Sequence, residues 1–328
     1  MAKQVYNKFK TNEKFKLVNE YNKEILKDWK LQLESEGKSE TTIKVYMHNV
    51  KVLFVYILEE LDNKPISELK KKQFRNYILW LKEKGLGSER IKNLKSASSS
   101  MLNFACEDED YEDDIGVNYI SKLKPIAKES RREIVFLTNE QVEIIYNELM
   151  ARKNYRDALL VAISYESLAR RNEIFQLKKD WIRLDSNMTT NKVIGKRGKK
   201  FPIFYFDKSK EAYKKYMETR DDDNEDLWVD KNGKSISYEN LYDRIVECRK
   251  ILEDKTGEYL PFGNHSFRHS GANSYKRGEH WAMKGKEFSL DELQALMNHS
   301  SIETTQSYLP CADTEIILGA FGINNENN

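Results

Sequence analysis

The sequence lacks the features that mark membrane-spanning, secreted and disulfide-stabilised proteins. Its 328 residues contain no apolar run of about eighteen residues, so we expect no transmembrane helix, and residues 1–4 do not begin an apolar secretion signal. The three cysteines, Cys106, Cys248 and Cys311, are far apart and form no Cys-x-x-Cys pair. We therefore expect a cytoplasmic protein with reduced thiols and no structural zinc site.

A large net charge is also missing. The chain has 55 basic and 53 acidic side chains and a formal charge of +2, so binding to a polyanion cannot rest on bulk charge. It would require the two signs to lie on different faces. Basic clusters occur at 70–72 and 196–200, and an acidic run covers 107–114. Taken alone, such runs are usually solvated surface.

Apolar residues recur at helical spacing through the first third of the chain. They predict helices near 21–33, 39–57 and 89–104, together with one after Pro65 for which Ser67 is a candidate cap. Four amphipathic helices with short connections predict a helical bundle over residues 1–120. The basic segment 121–134 has little periodicity, and we interpret it as an interdomain linker.

The remaining residues, 135–328, predict a mixed α+β domain. Helices are expected near 139–151, 154–166, 170–178, 208–219, 237–253, 266–277, 289–297 and 301–308, and a short apolar helix near 313–321. Two short β-runs, 191–195 and 201–206, flank a basic turn that contains glycine. The predicted fold class is therefore mainly α, with a small β-hairpin in the C-terminal domain.

Four of the five histidines lie in the last quarter of the chain, at His265, His269, His280 and His299. No carboxylate or cysteine with ligand spacing joins them, and the chain has no His-Glu-x-x-His pattern. We therefore expect no metal and no cofactor, and the ordinary role of a single such histidine is a hydrogen-bonded core residue.

Two arginines stand where arginine is a poor core residue. Arg170 follows an apolar helix, and Arg268 lies beside histidines inside a predicted helix. Such a cation has to be paired or bound to an anion. The planar guanidinium suits two oxygens of one phosphate and stays charged at working pH.

An ordered series of motifs in the C-terminal half resembles the tyrosine recombinases, the family of phage integrases and Xer resolvases. The family's first arginine lies in an Arg-x-x-Glu element, which matches Arg170 and Glu173. The segment 193–196 matches the hairpin that carries the family's lysine, and His265 and Arg268 match its His-x-x-Arg box.

The last two motifs are a histidine and, nine residues later, the nucleophilic tyrosine, which match His299 and Tyr308. The chain departs from the family in three places. Leu168 stands where the family usually has the glycine of Gly-Leu-Arg, Asn298 replaces the glycine of Leu-Gly-His, and the stretch 277–289 looks several residues longer than in Xer-like relatives.

The resemblance implies an enzyme that cuts and rejoins DNA through a 3′-phosphotyrosine. The implied catalytic set is Arg170, Lys196, His265, Arg268, His299 and Tyr308, with Glu173 and His269 in support. The arginines and His299 would bind nonbridging phosphate oxygens. A tyrosine hydroxyl has an ordinary pKa near 10, so His265 would accept its proton, and Lys196 would protonate the leaving 5′ oxygen. The chain has no phosphate-cradling Gly-x-x-x-x-Gly-Lys loop, which agrees with a reaction that needs neither metal nor ATP.

The resemblance also implies partners. These are double-stranded DNA with a specific recombination site, three further copies of the chain in a tetramer, and an accessory DNA-bending protein. The N-terminal bundle resembles the family's core-binding domain, with the acidic run 107–114 directed away from DNA. Its candidate DNA contacts, which a solvated lysine face would explain equally well, are Thr41, Thr42, Lys44, Lys92, Lys95 and Ser99, joined by Lys199 and Lys200 of the hairpin.

Two alternatives use the same residues differently. A type IB topoisomerase-like enzyme would nick and reseal DNA without strand exchange, and the short helical N-terminal bundle favours recombination over it. A non-catalytic DNA-binding protein on the same fold would lack the nucleophile or an arginine, and here all are present. A separate arm-binding domain is not expected, because only about twenty residues precede the first predicted helix. The apolar residues Ile316, Ile317, Leu318 and Phe321 would pack on a neighbouring protomer or on their own domain.

Overall fold

The computed structural model describes residues 9–127 and 134–310, and it divides the chain into two units, Met1–Arg132 and Glu133–Asn328. The described residues are mostly helical and contain one small β-hairpin, as the sequence predicted. None of their helices has the length and hydropathy needed to cross a membrane. The predicted helix at 313–321, with Ile316, Ile317, Leu318 and Phe321, lies outside the described residues.

The first unit is a bundle of five helices within its described part. They are α1 (Thr11–Lys14), α2 (Glu20–Ser35), α3 (Glu40–Glu60), α4 (Lys71–Glu83) and α5 (Ser88–Glu107). The apolar stripes predicted from the sequence form one core around Trp29, Phe54 and Tyr77. This confirms the helical bundle, which gains a short α1 that the periodicity did not indicate.

The start of α4 differs from the prediction. Ser67 does not cap it, because Ile66–Glu68 forms a separate 3-10 turn and the helix begins at Lys71. The Gln73 side chain accepts a hydrogen bond from the Lys70 backbone N–H at 3.2 Å, which satisfies one of the free donors at the helix start.

The chain after α5 packs back onto that helix. Ile120 is fully buried, and the Asn118 amide donates to the Ser99 carbonyl at 2.9 Å. The Lys95 ammonium donates to the carbonyls of Leu123 at 2.9 Å and Lys124 at 3.3 Å. Residues 118–124 are thus tied to α5 by both apolar and polar contacts.

The second unit contains eight helices in its described part, from α6 to α13. They are α6 (Asn139–Ala151), α7 (Tyr155–Ser167), α8 (Arg171–Phe175), α9 (Asp207–Glu218), α10 (Tyr238–Thr256), α11 (Asn264–Lys276), α12 (Leu290–Met297) and α13 (Ile302–Gln306). Every residue of α7 from Asp157 to Ser167 is buried, so this helix is the centre of the unit. The helix predicted at 170–178 is shorter and ends at Phe175.

A short hairpin joins α8 to α9. Strands β1 (Val193–Ile194) and β2 (Lys200–Phe201) pair antiparallel, with Val193 opposite Phe201. Both are shorter than the predicted runs, because Ile203 pairs with Thr189 instead of continuing the ladder: the Thr189 N–H donates to the Ile203 carbonyl at 2.9 Å. The turn between the strands is a 3-10 turn, Lys196–Gly198.

Candidate active site

The ring of Tyr308 lies among three histidines and an arginine. Its centroid is 5.1 Å from the His265 ring, 4.3 Å from the His269 ring and 4.9 Å from the His299 ring. The guanidinium carbon of Arg268 lies 5.1 Å from the same centroid. The structure therefore brings together five residues that are spread over more than forty positions of the sequence.

Arg268 is the buried cation of this cluster and is only 1% exposed. It donates hydrogen bonds to the Leu168 carbonyl and, at 2.9 Å, to the Met297 carbonyl. These carbonyls end α7 and α12, and a helix C-terminus carries about half a negative charge. Burial and the positive charge of Arg170 lower the pKa of the Arg268 guanidinium to about 10, which still leaves it charged near neutral pH.

The two departures from the family's glycines lie at these same helix ends. Leu168 ends α7 with a φ of 54°, and Asn298 ends α12 with a φ of 53°, so both adopt the left-handed conformation that glycine adopts without strain. Asparagine tolerates this region better than leucine does. The departures therefore keep the backbone conformation while changing the side chains.

At a third position near the site, two helices approach each other so closely that glycine is required. A Cβ on Gly271 of α11 would lie 2.5 Å from the Tyr165 carbonyl oxygen of α7. This lets α11 pack close enough to α7 for Arg268 to reach the Leu168 carbonyl.

His299 is held as a neutral ring between Arg268 and Thr305. An Arg268 N–H donates to its Nε2 at 2.6 Å, so Nδ1 carries the proton and donates to the Thr305 hydroxyl at 3.0 Å. Burial and the charge of Arg268 lower the pKa of His299 to about 3. In this arrangement Nε2 accepts a bond, so donation to a phosphate would require Arg268 to move away and the ring to gain a proton there.

Thr305 is the site residue that sequence reasoning missed. It is fully buried, six residues after His299 and three before the tyrosine, and that spacing within a short helix is the signal the sequence carries.

His269 holds the tyrosine rather than facing solvent. Its Nδ1–H donates to the Tyr308 carbonyl at 3.0 Å, and its ring stacks on the Tyr308 ring with a 20° angle between planes. The edge of the Phe136 ring packs on its other side, with centroids 5.8 Å apart. His269 thus fixes both the backbone and the ring of Tyr308.

His265 lies one turn before His269 on α11 and is the more exposed of the two. Desolvation by neighbouring protein atoms, followed by the charges of His269 and Arg268, lowers the pKa of His265 to about 4, although part of the ring stays in contact with solvent. The ring is therefore neutral near pH 7 and able to accept a proton.

Arg170 and Glu173 form the start of α8. The buried Glu173 carboxylate accepts the Arg170 backbone N–H at 2.6 Å and its Nη1 at 3.0 Å. The Arg170 side chain is 29% exposed, so the rest of its guanidinium edge remains open.

The hairpin lies beside this pair. A Cβ on Gly195 would lie 3.3 Å from Glu173 Oε1, which places Lys196 next to the partner of Arg170. Lys196, Lys199 and Lys200 are exposed, and they form no salt bridge in the part of the chain that the structure describes. The positive charge of Lys199 is one of those that lower the pKa of His299.

The candidate DNA contacts of the first unit are mostly engaged with protein groups. Lys44 pairs with Glu40 at 2.6 Å and Lys92 with Glu89 at 2.7 Å. The Thr42 hydroxyl bonds the Ser39 hydroxyl at 2.9 Å, Thr41 is exposed, and Lys95 and Ser99 bond residues 118–124. Exposed ion pairs of this kind contribute little and exchange readily for other anions.

The structure gives no metal-binding arrangement among the residues it describes, since no group of three or more histidine, cysteine or acidic side chains could hold an ion. His280 is fully buried between the rings of Tyr165 and Tyr275, with centroids 4.3 and 3.7 Å away. Its Nε2–H donates to the Tyr165 carbonyl at 3.3 Å and its Nδ1 accepts the Ala282 N–H at 3.1 Å. His280 therefore anchors the longer 277–289 stretch.

Comparison with known families covers both units. Residues 135–315 match the model of the phage integrase family, and residues 25–112 match that of its N-terminal SAM-like domain. The chain belongs to the phage integrase family. It is a tyrosine recombinase, as the resemblance in the sequence predicted.

Similar proteins and similar folds span most of the chain. It is 28% identical to the tyrosine recombinase XerA of Thermococcus onnurineus over 87% of this chain and 90% of the relative. It is 26% identical to the tyrosine recombinase XerC of Leptospira interrogans over 91% of each. Its fold is similar to those of the Tn1549 transposon integrase (TM-score 0.71, 16% identity, 91% of this chain and 98% of that one) and lambda integrase (TM-score 0.68, 19% identity, 87% and 76%).

Proposed function

We propose that this recombinase cuts one strand of double-stranded DNA at a specific site by attack of Tyr308 and rejoins it to another strand. The observation that carries the proposal is the packing of the Tyr308 ring against His265, His269 and Arg268, at distances of 4.3 to 5.1 Å. A phosphodiester there would meet a nucleophile, a neutral base and a buried cation at once.

The proposed reaction consists of one bond formed, one bond broken and two proton transfers. The Tyr308 oxygen forms a bond to phosphorus while its proton passes to His265, and the bond to the 5′ oxygen breaks as Lys196 gives that oxygen a proton. The covalent 3′-phosphotyrosine retains the energy of the broken bond, so a new 5′ hydroxyl can reverse the step without ATP.

The positive groups supply the stabilisation. The phosphorane-like transition state carries an extra negative charge, and Arg170 and Arg268 are the fixed cations that would bind its nonbridging oxygens. Removing one such donor typically costs roughly 3–4 kcal/mol of barrier, or two to three orders of magnitude in rate. His299 would join them once a phosphate draws Arg268 away from its Nε2 and that nitrogen gains a proton.

The division of labour follows the two units. In this proposal residues 1–120 grip DNA, 121–134 are the linker and 135–328 carry the chemistry. The assembly would be a tetramer on two DNA sites in the cytoplasm, aided by an accessory DNA-bending protein. Support for the assembly comes from the similar fold of lambda integrase, whose solved structure is a tetramer bound to a Holliday junction.

The test is covalent capture of DNA. The wild-type protein is mixed with nicked duplexes from the DNA flanking its gene and from a pool with a randomised centre, and protein-linked strands are sequenced. The matched controls are Tyr308→Phe and Tyr259→Phe, the latter an exposed tyrosine of the same unit. An adduct with wild type and Tyr259→Phe, but not with Tyr308→Phe, is expected. Persistence of the adduct in Tyr308→Phe contradicts the mechanism, and supercoil relaxation without strand exchange would favour the topoisomerase-like alternative.

A further inference from the structure

A second cleft opens beside the catalytic cluster. It has a volume of about 420 Å³ and is shared by two catalytic candidates, Arg170 and His265, at one side. The other side is formed by residues to which the proposed reaction assigns no role, namely Arg171, Tyr238, Tyr242 and Asn264.

Arg171 lies over an aromatic surface. Its guanidinium carbon lies 3.8 Å from the centre of the Tyr238 ring and 5.6 Å from that of Tyr242. Arg249 fixes Tyr242 in turn, by a 3.2 Å bond to the tyrosine hydroxyl. A guanidinium stacked on a ring keeps its N–H edge free, and edge-on donation is how arginine binds phosphate.

No carboxylate of the described residues pairs with that edge. Arg171 forms no salt bridge within residues 9–127 and 134–310, whereas its neighbour Arg170 is paired with Glu173. The cleft thus contains a positive group that is positioned by the fold and is not neutralised by it.

Asn264, in the same cleft, has a side-chain amide without hydrogen-bond partners. Both polar atoms of its amide, Nδ2 and Oδ1, are buried and lack a hydrogen-bond partner. Leaving a buried amide unpaired costs free energy, so contacts within the folded chain do not explain why the Asn264 amide lies there. Asn264 is also the first residue of the thirteen-residue helix α11, whose N-terminal N–H groups favour an anion.

We propose that this cleft binds a second phosphate of the cleaved strand, next to the scissile phosphate, with Arg171 as its cation and the Asn264 amide as its donor. The ligand is a phosphate rather than a base, because the guanidinium already covers the Tyr238 face on which a base would stack. Two anchored phosphates, the scissile one and its neighbour, would fix the strand next to the phosphorus that Tyr308 attacks. This inference rests on the proposed function.

The first arm of the test needs no cleavage. Binding of a duplex of arbitrary sequence is measured against salt in a Tyr308→Phe background, with Arg171→Gln compared with Arg183→Gln, an exposed arginine of the same unit that pairs with Asp185. Loss of one phosphate contact should lower the slope of log affinity against log salt by about 0.9. Equal slopes for the two variants would overturn the proposal.

The second arm uses a duplex recovered by covalent capture, with single neutral methylphosphonates on either side of the scissile phosphate. Arg171→Gln should slow cleavage roughly ten- to a hundredfold, as expected for loss of a hydrogen bond to a charged group. One methylphosphonate should slow the wild type similarly and should slow Arg171→Gln no further. Additive effects at every position would overturn the proposal and would point to a base or a structural role.

A further variant, Asn264→Ala, tests whether slower cleavage results from a loss of stability rather than from a lost phosphate contact. Because the amide is unpaired in the free protein, the variant should unfold at the same temperature or higher, yet cleave more slowly. A lowered unfolding temperature with unchanged cleavage would make Asn264 structural and contradict its role here. If the wild type yields no adduct with any duplex, the proposed function fails, and the salt slope still decides whether Arg171 binds a phosphate.

Discussion

Arg268 meets two helix C-termini where a buried arginine would ordinarily meet a carboxylate. The carbonyls of Leu168 and Met297 supply partial negative charge without a full anion, so most of the positive charge of the side chain remains available. The buried carboxylate of Glu173, which lies beside this cluster, is bonded to Arg170. At the scale of residues, the fold thus stabilises a cation while leaving it able to attract a phosphate.

The two arginines should therefore differ in what they do for stability. Arg268→Lys keeps the charge but cannot donate to both carbonyls and to His299, so we expect a loss of about 2 kcal/mol of unfolding free energy. Arg170→Lys, at a 29% exposed side chain, should lose less than about 1 kcal/mol. Both should slow adduct formation by at least about a hundredfold. Urea unfolding and adduct kinetics measure the two effects, and equal stability of the two variants would refute the structural role of Arg268.

The left-handed residues allow a matched comparison. Leu168→Gly removes backbone strain of about 1–3 kcal/mol but deletes a fully buried side chain, which costs about 2–5 kcal/mol. The cost of the cavity should exceed the gain from the relieved strain, so the unfolding free energy should fall by roughly 1–3 kcal/mol. Asn298→Gly removes a half-buried polar side chain, so its stability should stay within about 0.5 kcal/mol of the wild type. Thermal unfolding checks both, and a stabilised Leu168→Gly would show that strain dominates.

At the scale of elements, what the sequence predicted depended on how local the signal was. The start of α6 agrees with prediction because its capping box, Thr138 with Gln141, lies within four consecutive residues. The start of α4 was misplaced because a serine after a proline also suits a 3-10 turn. The strands came out short because Ile203 pairs with Thr189, two residues before the partner that the register of Val193 and Phe201 would give it.

The residues of the site also differ in how local their sequence signal is. Arg170, His265, Arg268, His299 and Tyr308 have motifs with fixed spacing, and the structure gathers three of them, His265, Arg268 and His299, around the ring of Tyr308. The roles of the Leu168 and Met297 carbonyls, by contrast, depend on how three helices meet, and nothing in their side chains encodes it.

The segment after α5 should depend on Lys95. Lys95→Met removes two hydrogen bonds to the carbonyls of Leu123 and Lys124, so residues 119–127 should exchange backbone hydrogens faster, at a cost of about 1 kcal/mol. Lys92→Met is the matched control, because Lys92 pairs with Glu89 on the same helix. Hydrogen exchange measures the effect. Equal exchange in the two variants would mean that apolar packing alone holds the segment.

At the scale of the whole molecule, the near balance of 55 basic and 53 acidic residues matters less than where unpaired cations lie. In the described part of the second unit, Arg171 and the hairpin lysines lack salt bridges, whereas Lys44 and Lys92 of the first unit have them. DNA that binds at Lys44 or Lys92 must therefore displace a glutamate, whereas DNA that binds at Arg171 or the hairpin lysines displaces no carboxylate of the described residues.

Acid should destabilise the second unit through its buried histidines. Burial lowers the pKa of His280 to about 3, whereas a histidine of the unfolded chain titrates near 6.5. Between these values the unfolded chain binds more protons than the folded one, so the unfolding free energy falls as pH drops below about 6.5 and is unaffected above it. At pH 5 the loss from His280 alone should be about 2 kcal/mol.

The variant His280→Gln separates this titration from packing. Because the variant loses the ring stack, it should be less stable than the wild type at pH 7. Between pH 7 and pH 5, however, its unfolding free energy should fall by about 2 kcal/mol less than that of the wild type. Urea unfolding at pH 8, 7, 6 and 5 measures the difference. The curves of the two proteins should run nearly parallel from pH 8 to 7, where a histidine with a pKa near 6.5 is largely neutral, and converge below. Parallel curves down to pH 5 would mean that the pKa of His280 is the same in the folded and unfolded chain, which its burial and its acceptance of the Ala282 N–H contradict.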